Sequence, residues 1–153
     1  CHPRDNIAMS YLSEKLNLSH NWFENIMQQR EKQTEWLVEL IIENIKNFKV
    51  NILGKSFKAE SNLTLGSPAI LLQNILKEKN VKANIWDPIV DQKFDEYSKK
   101  YLWDKEAQLF FIATKHEEFN KFPFFPGSVV IDPWRYISPR NDIKIIRVGD
   151  SKK

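Results

Sequence analysis

Cys1 is the only cysteine in 153 residues, and it opens the segment Cys1-His2-Pro3-Arg4-Asp5, with a histidine beside it and a carboxylate four positions on. A thiolate attacks carbonyl carbon far better than a hydroxyl does, and His2 and Arg4 would lower the thiol pKa by favouring the charged form. On these five residues two readings stay open, a nucleophile or an inert terminal thiol. The other residues suited to chemistry follow short apolar runs: Gly54-Lys55-Ser56-Phe57-Lys58, Asp87-Pro88, Thr114-Lys115-His116 and Asp132-Pro133-Trp134-Arg135. Together they make a basic, aromatic set that would suit a small anionic ligand. Gly54-Lys55-Ser56 is not a P-loop, because that motif needs another glycine five residues earlier and Lys49 stands there. A dinucleotide fingerprint G-x-G-x-x-G is absent as well, which leaves no reason to seat NAD on these runs alone.

The elements that must position these residues change character near Asn47. Before it the apolar spacing is helical. Asp5 is expected to cap a first helix with Ile7, Ala8, Tyr11 and Leu12 on one face, and Ser19 to cap a second. Phe23, Ile26, Met27, Arg30, Thr34, Leu37, Ile41 and Ile45 recur at steps of three and four through about Lys46. That spacing predicts a helix over 20–46 of roughly 27 residues and about 40 Å. It is too long for a small domain to cover, so a second subunit or a further domain should pack on it. After Asn47 the pattern alternates: strands at Lys49–Leu53 and Val81–Trp86 enclose a helix at Pro68–Lys79 with Ser67 as its cap. A weaker helix is expected over Asp91–Leu102, a helical turn at Lys115–Phe119, and strands at Leu109–Ala113, Ser128–Ile131 and Ile143–Val148. The fold class predicted is α/β: an N-terminal helical segment, 1–47, then a Rossmann-like, mostly parallel, right-handedly wound sheet of about five strands flanked by helices, 48–153. In such a sheet a ligand lies outside the carboxyl ends of the strands.

Composition bounds the function. With 42% hydrophobic and 12% aromatic residues and 4 glycines, the chain can bury a substantial core. The net charge of +3, from 23 basic and 20 acidic residues, is too small and too scattered for a nucleic-acid surface. No run approaches the roughly 18 apolar residues of a membrane span, and no charged-then-apolar leader opens the sequence, so neither an anchor nor a signal peptide is expected. One cysteine makes no internal disulfide and no zinc site, which suits a reducing, cytoplasmic setting without a metal.

Several of these segments, taken in order, resemble the UDP-glucose/GDP-mannose dehydrogenases, specifically their C-terminal half. Cys1-His2-Pro3-Arg4-Asp5 matches the pattern C-F-P-K-D, which in the family follows a glycine pair. The helix with Arg30-Glu31-Lys32-Gln33 resembles the long central helix, and Ile52-Leu53-Gly54-Lys55-Ser56-Phe57-Lys58 the LG-x-A-F-K turn. Ser67-Pro68-Ala69 matches S-P-A, and Trp86-Asp87-Pro88 matches Y-D-P. Ala113-Thr114-Lys115-His116-Glu117-Glu118-Phe119 and Val129-Val130-Ile131-Asp132 are similar to the last strands.

The resemblance implies an enzyme that oxidises the primary alcohol of a UDP- or GDP-sugar to a carboxylate with two NAD in succession. Cys1 would form a thiohemiacetal with the aldehyde and then a thioester, and Asp5 would position or activate the hydrolytic water, unless it is simply a helix cap. Arg4 would stand near the cofactor's phosphate or ribose, or be a solvated charge. Phe57 and Lys58 would meet the sugar nucleotide and Arg135 would add a cation to the ligand or to a neighbouring subunit, whereas His116 reads as a packed or solvated residue. NAD itself would be held mainly by an N-terminal domain not contained in these 153 residues, so the chain alone is expected to be inactive. The long helix 20–46 would make a homodimer. The sequence also departs from the family: Leu65 stands where an arginine reaches toward the cofactor, and Trp134 where Gly-Arg is frequent. Two rivals are a non-catalytic sugar-nucleotide-binding or dimerisation module with an inert Cys1, and an N-terminal-nucleophile hydrolase. The alternating pattern disfavours the antiparallel sandwich that the second requires.

Overall fold

The computed structural model describes residues 3–91 and 106–149, so Cys1, His2 and nearly all of the helix expected over 91–102 lie outside the described residues. Helix α1 spans Arg4–Lys15 and α2 spans Trp22–Asn44; then come β1 (Val50–Leu53), α3 (Pro68–Glu78), β2 (Ala83–Trp86), β3 (Leu109–Ile112), a 3-10 turn (Glu117–Lys121), β4 (Val129–Asp132) and β5 (Lys144–Arg147). The five strands form one all-parallel sheet in the order β2-β1-β3-β4-β5.

Short β-branched and aromatic runs make the strands, and their alternation splits the core in two. Val50, Ile52, Leu109, Phe111, Val129 and Ile131 face Ala69, Leu72 and Leu76 of α3 together with Val38 and Ile41 of α2. Leu53, Phe110, Ile112 and Val130 face the opposite layer with Trp86, Phe119, Phe122 and Phe124. Every residue of β1, β3 and β4 is buried, as expected of a parallel sheet covered on both faces. Helix α3 starts where Ser67 and Pro68 place it: the Ser67 side chain accepts from the Ala69 N–H, and Pro68 occupies a position whose missing N–H costs nothing.

Three expectations for the helices are corrected. Asp5 is not the cap of α1. Pro3 holds that position, and Asp5 lies within the first turn, where its charge complements the helix dipole. Second, Ile7, Tyr11 and Leu12 are exposed, and α1 instead buries Ser10 and Ser13. Polar bonds dock it onto α2: the Asn21 amide donates to Ser10 Oγ at 2.9 Å, and Ser10 Oγ donates to Glu24 at 3.3 Å. Third, α2 begins at Trp22 rather than after Ser19, because Asn21 caps the Glu24 N–H while its own amide holds α1. The helix is therefore 23 residues long, about 35 Å rather than about 40 Å. The helical turn after β3 also comes slightly later than the spacing suggests, at Glu117–Lys121.

Candidate functional site

The strand order reverses between β1 and β3: the chain leaves β1 through α3 to β2 on one side, then returns to β3 on the other. That reversal opens a crevice outside the carboxyl ends of the strands, the usual ligand position in an open α/β sheet. A cleft of about 410 Å³ lies there, within the range of small-ligand sites. Its walls include Phe57 after β1, Thr114 after β3, Trp134 after β4, and Arg30 and Gln33 from α2. A second groove of about 590 Å³ shares Arg30, Gln33, Phe57 and Pro68 with it and extends along α2 past Ile26 and Gln29.

The turn that carries Phe57 is locked from beneath. Asp87, fully buried at the end of β2, accepts from the N–H groups of Lys55 at 2.7 Å and Ser56 at 2.8 Å through Oδ2. Oδ1 accepts from the N–H groups of Ile89 at 2.9 Å and Val90 at 3.0 Å. Burial alone would push this carboxyl up, but the hydrogen bonds from His116 and from the Lys55, Ser56 and Val90 amides outweigh it and hold the group well below the usual carboxylate range. Gly54 allows the turn its shape. Its φ is +100°, and a Cβ there would lie 2.5 Å from Thr114 Cβ. Thr114 closes the arrangement by donating through Oγ1 to the Ser56 carbonyl at 3.0 Å.

Ser56, His116 and Asp87 together have the composition of a hydrolytic triad but not its geometry. His116 Nε2 lies 3.0 Å from both Ser56 Oγ and Asp87 Oδ2, so one ring nitrogen faces both partners. A relay needs the two partners on opposite nitrogens and a nucleophile open to substrate. Ser56 and His116 are both buried. The cluster holds the turn in place.

On the far wall Asp132 plays the same part for the turn after β4. Its Oδ1 accepts from the Trp134 N–H at 3.1 Å, and its Oδ2 accepts from the Tyr136 and Ile137 N–H groups at 2.7 Å. The Trp134 indole then donates to the Ile112 carbonyl at 3.1 Å.

The residues singled out from sequence divide accordingly. Phe57 lines the cleft; Lys58 is exposed beside it and Arg135 is exposed next to Trp134, and neither is part of the lining. Arg4 and Asp5 pair with each other at 2.9 Å on the first turn of α1, both largely exposed, and this bond holds the Asp5 carboxyl below its ordinary range. Leu65 points into solvent, 89% exposed. His116 is packed, as expected, although its part in the turn was not foreseen. Trp134, placed by sequence in the aromatic set at the strand ends, forms a wall of the cleft, whereas sequence reasoning missed Arg30 as a lining residue. Arg30 donates to the Gly66 carbonyl at 3.0 Å, and Gly66 touches the start of α1, since a Cβ on it would lie 2.7 Å from Pro3 Cδ. The segment that follows Cys1 therefore packs beside the groove.

The first βα turn is not built as a dinucleotide-binding loop. The amides of the first βα turn that would face a pyrophosphate are given to Asp87, and Gly54 is closed off by Thr114. Among the described residues no group of three metal-ligating side chains occurs, and no helix is long and apolar enough to cross a membrane.

Residues 51–139 match the family model described as the UDP binding domain of the UDP-glucose/GDP-mannose dehydrogenase family. The chain is 29% identical over 106 residues to the GDP-mannose 6-dehydrogenase of Pseudomonas aeruginosa, covering 69% of this chain and 23% of that protein. It is 25% identical over 134 residues to the UDP-glucose 6-dehydrogenase of Rickettsia conorii, covering 79% and 31%. The chain thus spans a third or less of these relatives. Among solved structures, the UDP-glucose dehydrogenase of Pyrobaculum islandicum superposes with a TM-score of 0.73 at 22% identity, over 96% of this chain and 36% of that one. The GDP-mannose dehydrogenase of Pseudomonas aeruginosa does so with 0.71 at 22% identity, over 95% and 38%.

Proposed function

The chain belongs to the UDP-glucose/GDP-mannose dehydrogenase family, and from that premise we propose that it is the C-terminal part of a nucleotide-sugar 6-dehydrogenase. Residues 48–153 bind a UDP- or GDP-sugar, and residues 1–47 carry the nucleophile and a dimerisation helix. The observation that carries this reading is the cleft at the β1–β3 reversal, lined by Phe57 from the family-matched segment, with Arg30 of the adjoining groove bonded to Gly66, against which Pro3 packs. Lys58 and Arg135, exposed on the flanking turns, supply flexible cations for phosphate or hydroxyl oxygens.

In the reaction, the Cys1 thiolate adds to the aldehyde carbon of the oxidised sugar and forms a C–S bond; once that carbon is at the thioester level, water adds and the thiolate leaves. NAD, when bound elsewhere in the complete enzyme, supplies the hydride acceptor. Asp5, kept ionised by Arg4, orients the water and stabilises developing positive charge more readily than it takes a proton. Arg4, already engaged with Asp5, is a weaker candidate for a cofactor contact. The chemistry needs a free thiol and therefore a reducing compartment, the cytoplasm. Alone, these 153 residues bind the sugar nucleotide and do not turn it over.

Calorimetric titration with several UDP- and GDP-sugars tests the binding half of the reading. Micromolar to millimolar binding of at least one is expected. No binding of any of them by a folded chain would sink it.

A further inference from the structure

Two aromatic rings face the same cleft from different turns, and both stay open to solvent: Phe57 is 36% exposed and Trp134 is 51% exposed. Trp134 is not a loose surface side chain. Its backbone N–H is held by Asp132 and its indole N–H by the Ile112 carbonyl, so the ring is fixed at the mouth of the cleft before any ligand arrives. A preset aromatic wall costs little ordering entropy on binding.

The hydroxyl groups of the lining are already used. Thr34 Oγ1 donates to the Arg30 carbonyl, Thr114 Oγ1 to the Ser56 carbonyl, and Ser56 Oγ pairs with His116, while Arg30 gives the Gly66 carbonyl one of its donors. A hexose would bring several hydroxyl groups here and find few partners, and each buried hydroxyl left unpaired is costly. A flat heterocycle needs mainly two apolar faces and a polar contact at its edge. Gln33, exposed on the α2 wall, offers an amide donor and acceptor for that edge.

We propose that Trp134 and Phe57 form an aromatic slot for the nucleobase of the sugar nucleotide, with Trp134 as a residue that determines affinity for the base. The proposal rests on the sugar-nucleotide reading above, and it also orients the ligand. The base sits at the Trp134 end, and the phosphates and sugar run along the adjoining groove past Arg30 toward Gly66 and Pro3, where the Cys1 segment begins.

The test is titration of the 153-residue chain and its Trp134→Ala and Trp134→Phe variants with UDP-glucose, GDP-mannose and glucose 1-phosphate, each variant first checked for an intact fold by circular dichroism. Loss of one base-stacking side chain should weaken the sugar nucleotide that binds by about tenfold in Trp134→Ala. Trp134→Phe, which keeps a ring, should stay within about threefold of the parent, and glucose 1-phosphate, which has no base, should be unaffected in both. Ligand-induced quenching of tryptophan emission should largely disappear in Trp134→Phe even where binding persists. Equal affinity of the parent and Trp134→Ala for the sugar nucleotide, with binding by the parent intact, overturns the slot but leaves the family reading standing. Equal losses for the sugar nucleotide and glucose 1-phosphate would also overturn it, as would full quenching in Trp134→Phe. If the parent binds neither nucleotide, both the slot and the reading beneath it fall.

Discussion

Asp87 and Gly54 show how little of a turn's stability is visible in the residues that line its cleft. Asp87 never reaches the cleft, yet four backbone amides converge on its carboxylate. Replacing it in Asp87→Asn removes the charge that strengthens those bonds, and hydrogen bonds to charged groups are the stronger class. The expected cost is about 2–3 kcal/mol in urea unfolding, together with weaker sugar-nucleotide binding, since Phe57 and Lys58 ride on the released turn. The same carboxylate makes stability depend on pH. Its native pKa is held below that of the unfolded chain, near 3.9, so its contribution is complete above that value and fades as pH falls through and below it. Denaturation midpoints measured from about pH 6 to pH 3 should drop for the parent and drop less steeply for Asp87→Asn; parallel curves would count against this role. Gly54→Ala is the sterner case, because a positive φ and a methyl 2.5 Å from Thr114 must both be accommodated. A loss of about 2 kcal/mol or more is expected, which for a chain of this size lowers Tm by several degrees. Neither role was legible in the sequence. Asp87-Pro88 stood out only as a strand end, and nothing local announced that its carboxylate would serve a turn more than thirty residues earlier.

At the scale of elements the reading from sequence came closest, because periodicity and capping are local. Ser67-Pro68 set the start of α3 to the residue, and each strand was found within two residues of its ends, since β-branched and aromatic runs bounded by Gly, Pro and Asp leave little choice. Helix starts failed where a tertiary bond decided them: Asn21 was chosen over Ser19 because its amide also holds α1. The apolar side chains of α1 and of the outer face of α2 mark the other limit. Spacing marked Ile7, Tyr11 and Leu12 of α1 as a face to be buried, but Trp22 and Trp36 of α2 lay outside the spacing that was read. Trp36 lies on the side of α2 opposite Thr34, Val38 and Ile41, which join the core, and it is 47% exposed; Trp22, two heptads earlier, is 64% exposed. These two residues support the proposed dimer. Sedimentation velocity should give a species of about twice the 18.1 kDa chain mass, and Trp36→Glu should shift it to monomer with its helical circular dichroism intact. A clean monomer for the parent would remove the dimer from the proposal.

On the scale of the whole molecule, the division of labour follows from which groups are already spoken for. The first βα turn spends its amides on Asp87, so it is not a phosphate-binding loop, while the crevice between β1 and β3 remains open. On the proposed reading this sheet selects the sugar nucleotide and presents it, and the hydride acceptor is held by other residues. Binding and oxidation should therefore separate cleanly at Cys1. In the complete enzyme, Cys1→Ser is expected to bind the sugar nucleotide within about twofold of the parent, because serine is nearly isosteric with cysteine. Overall oxidation to the carboxylate should fall by at least about a thousandfold, as a hydroxyl at its free pKa is a far weaker nucleophile than a thiolate. Calorimetry on the one hand and NAD reduction on the other check the two halves. Retention of full oxidation by Cys1→Ser would show that the thiol is not the nucleophile, whereas binding with no turnover by the parent would return the chain to a non-catalytic binding module. Loss of both binding and turnover would instead mean that the Cys1 segment, packed through Pro3 on Gly66, helps shape the groove itself.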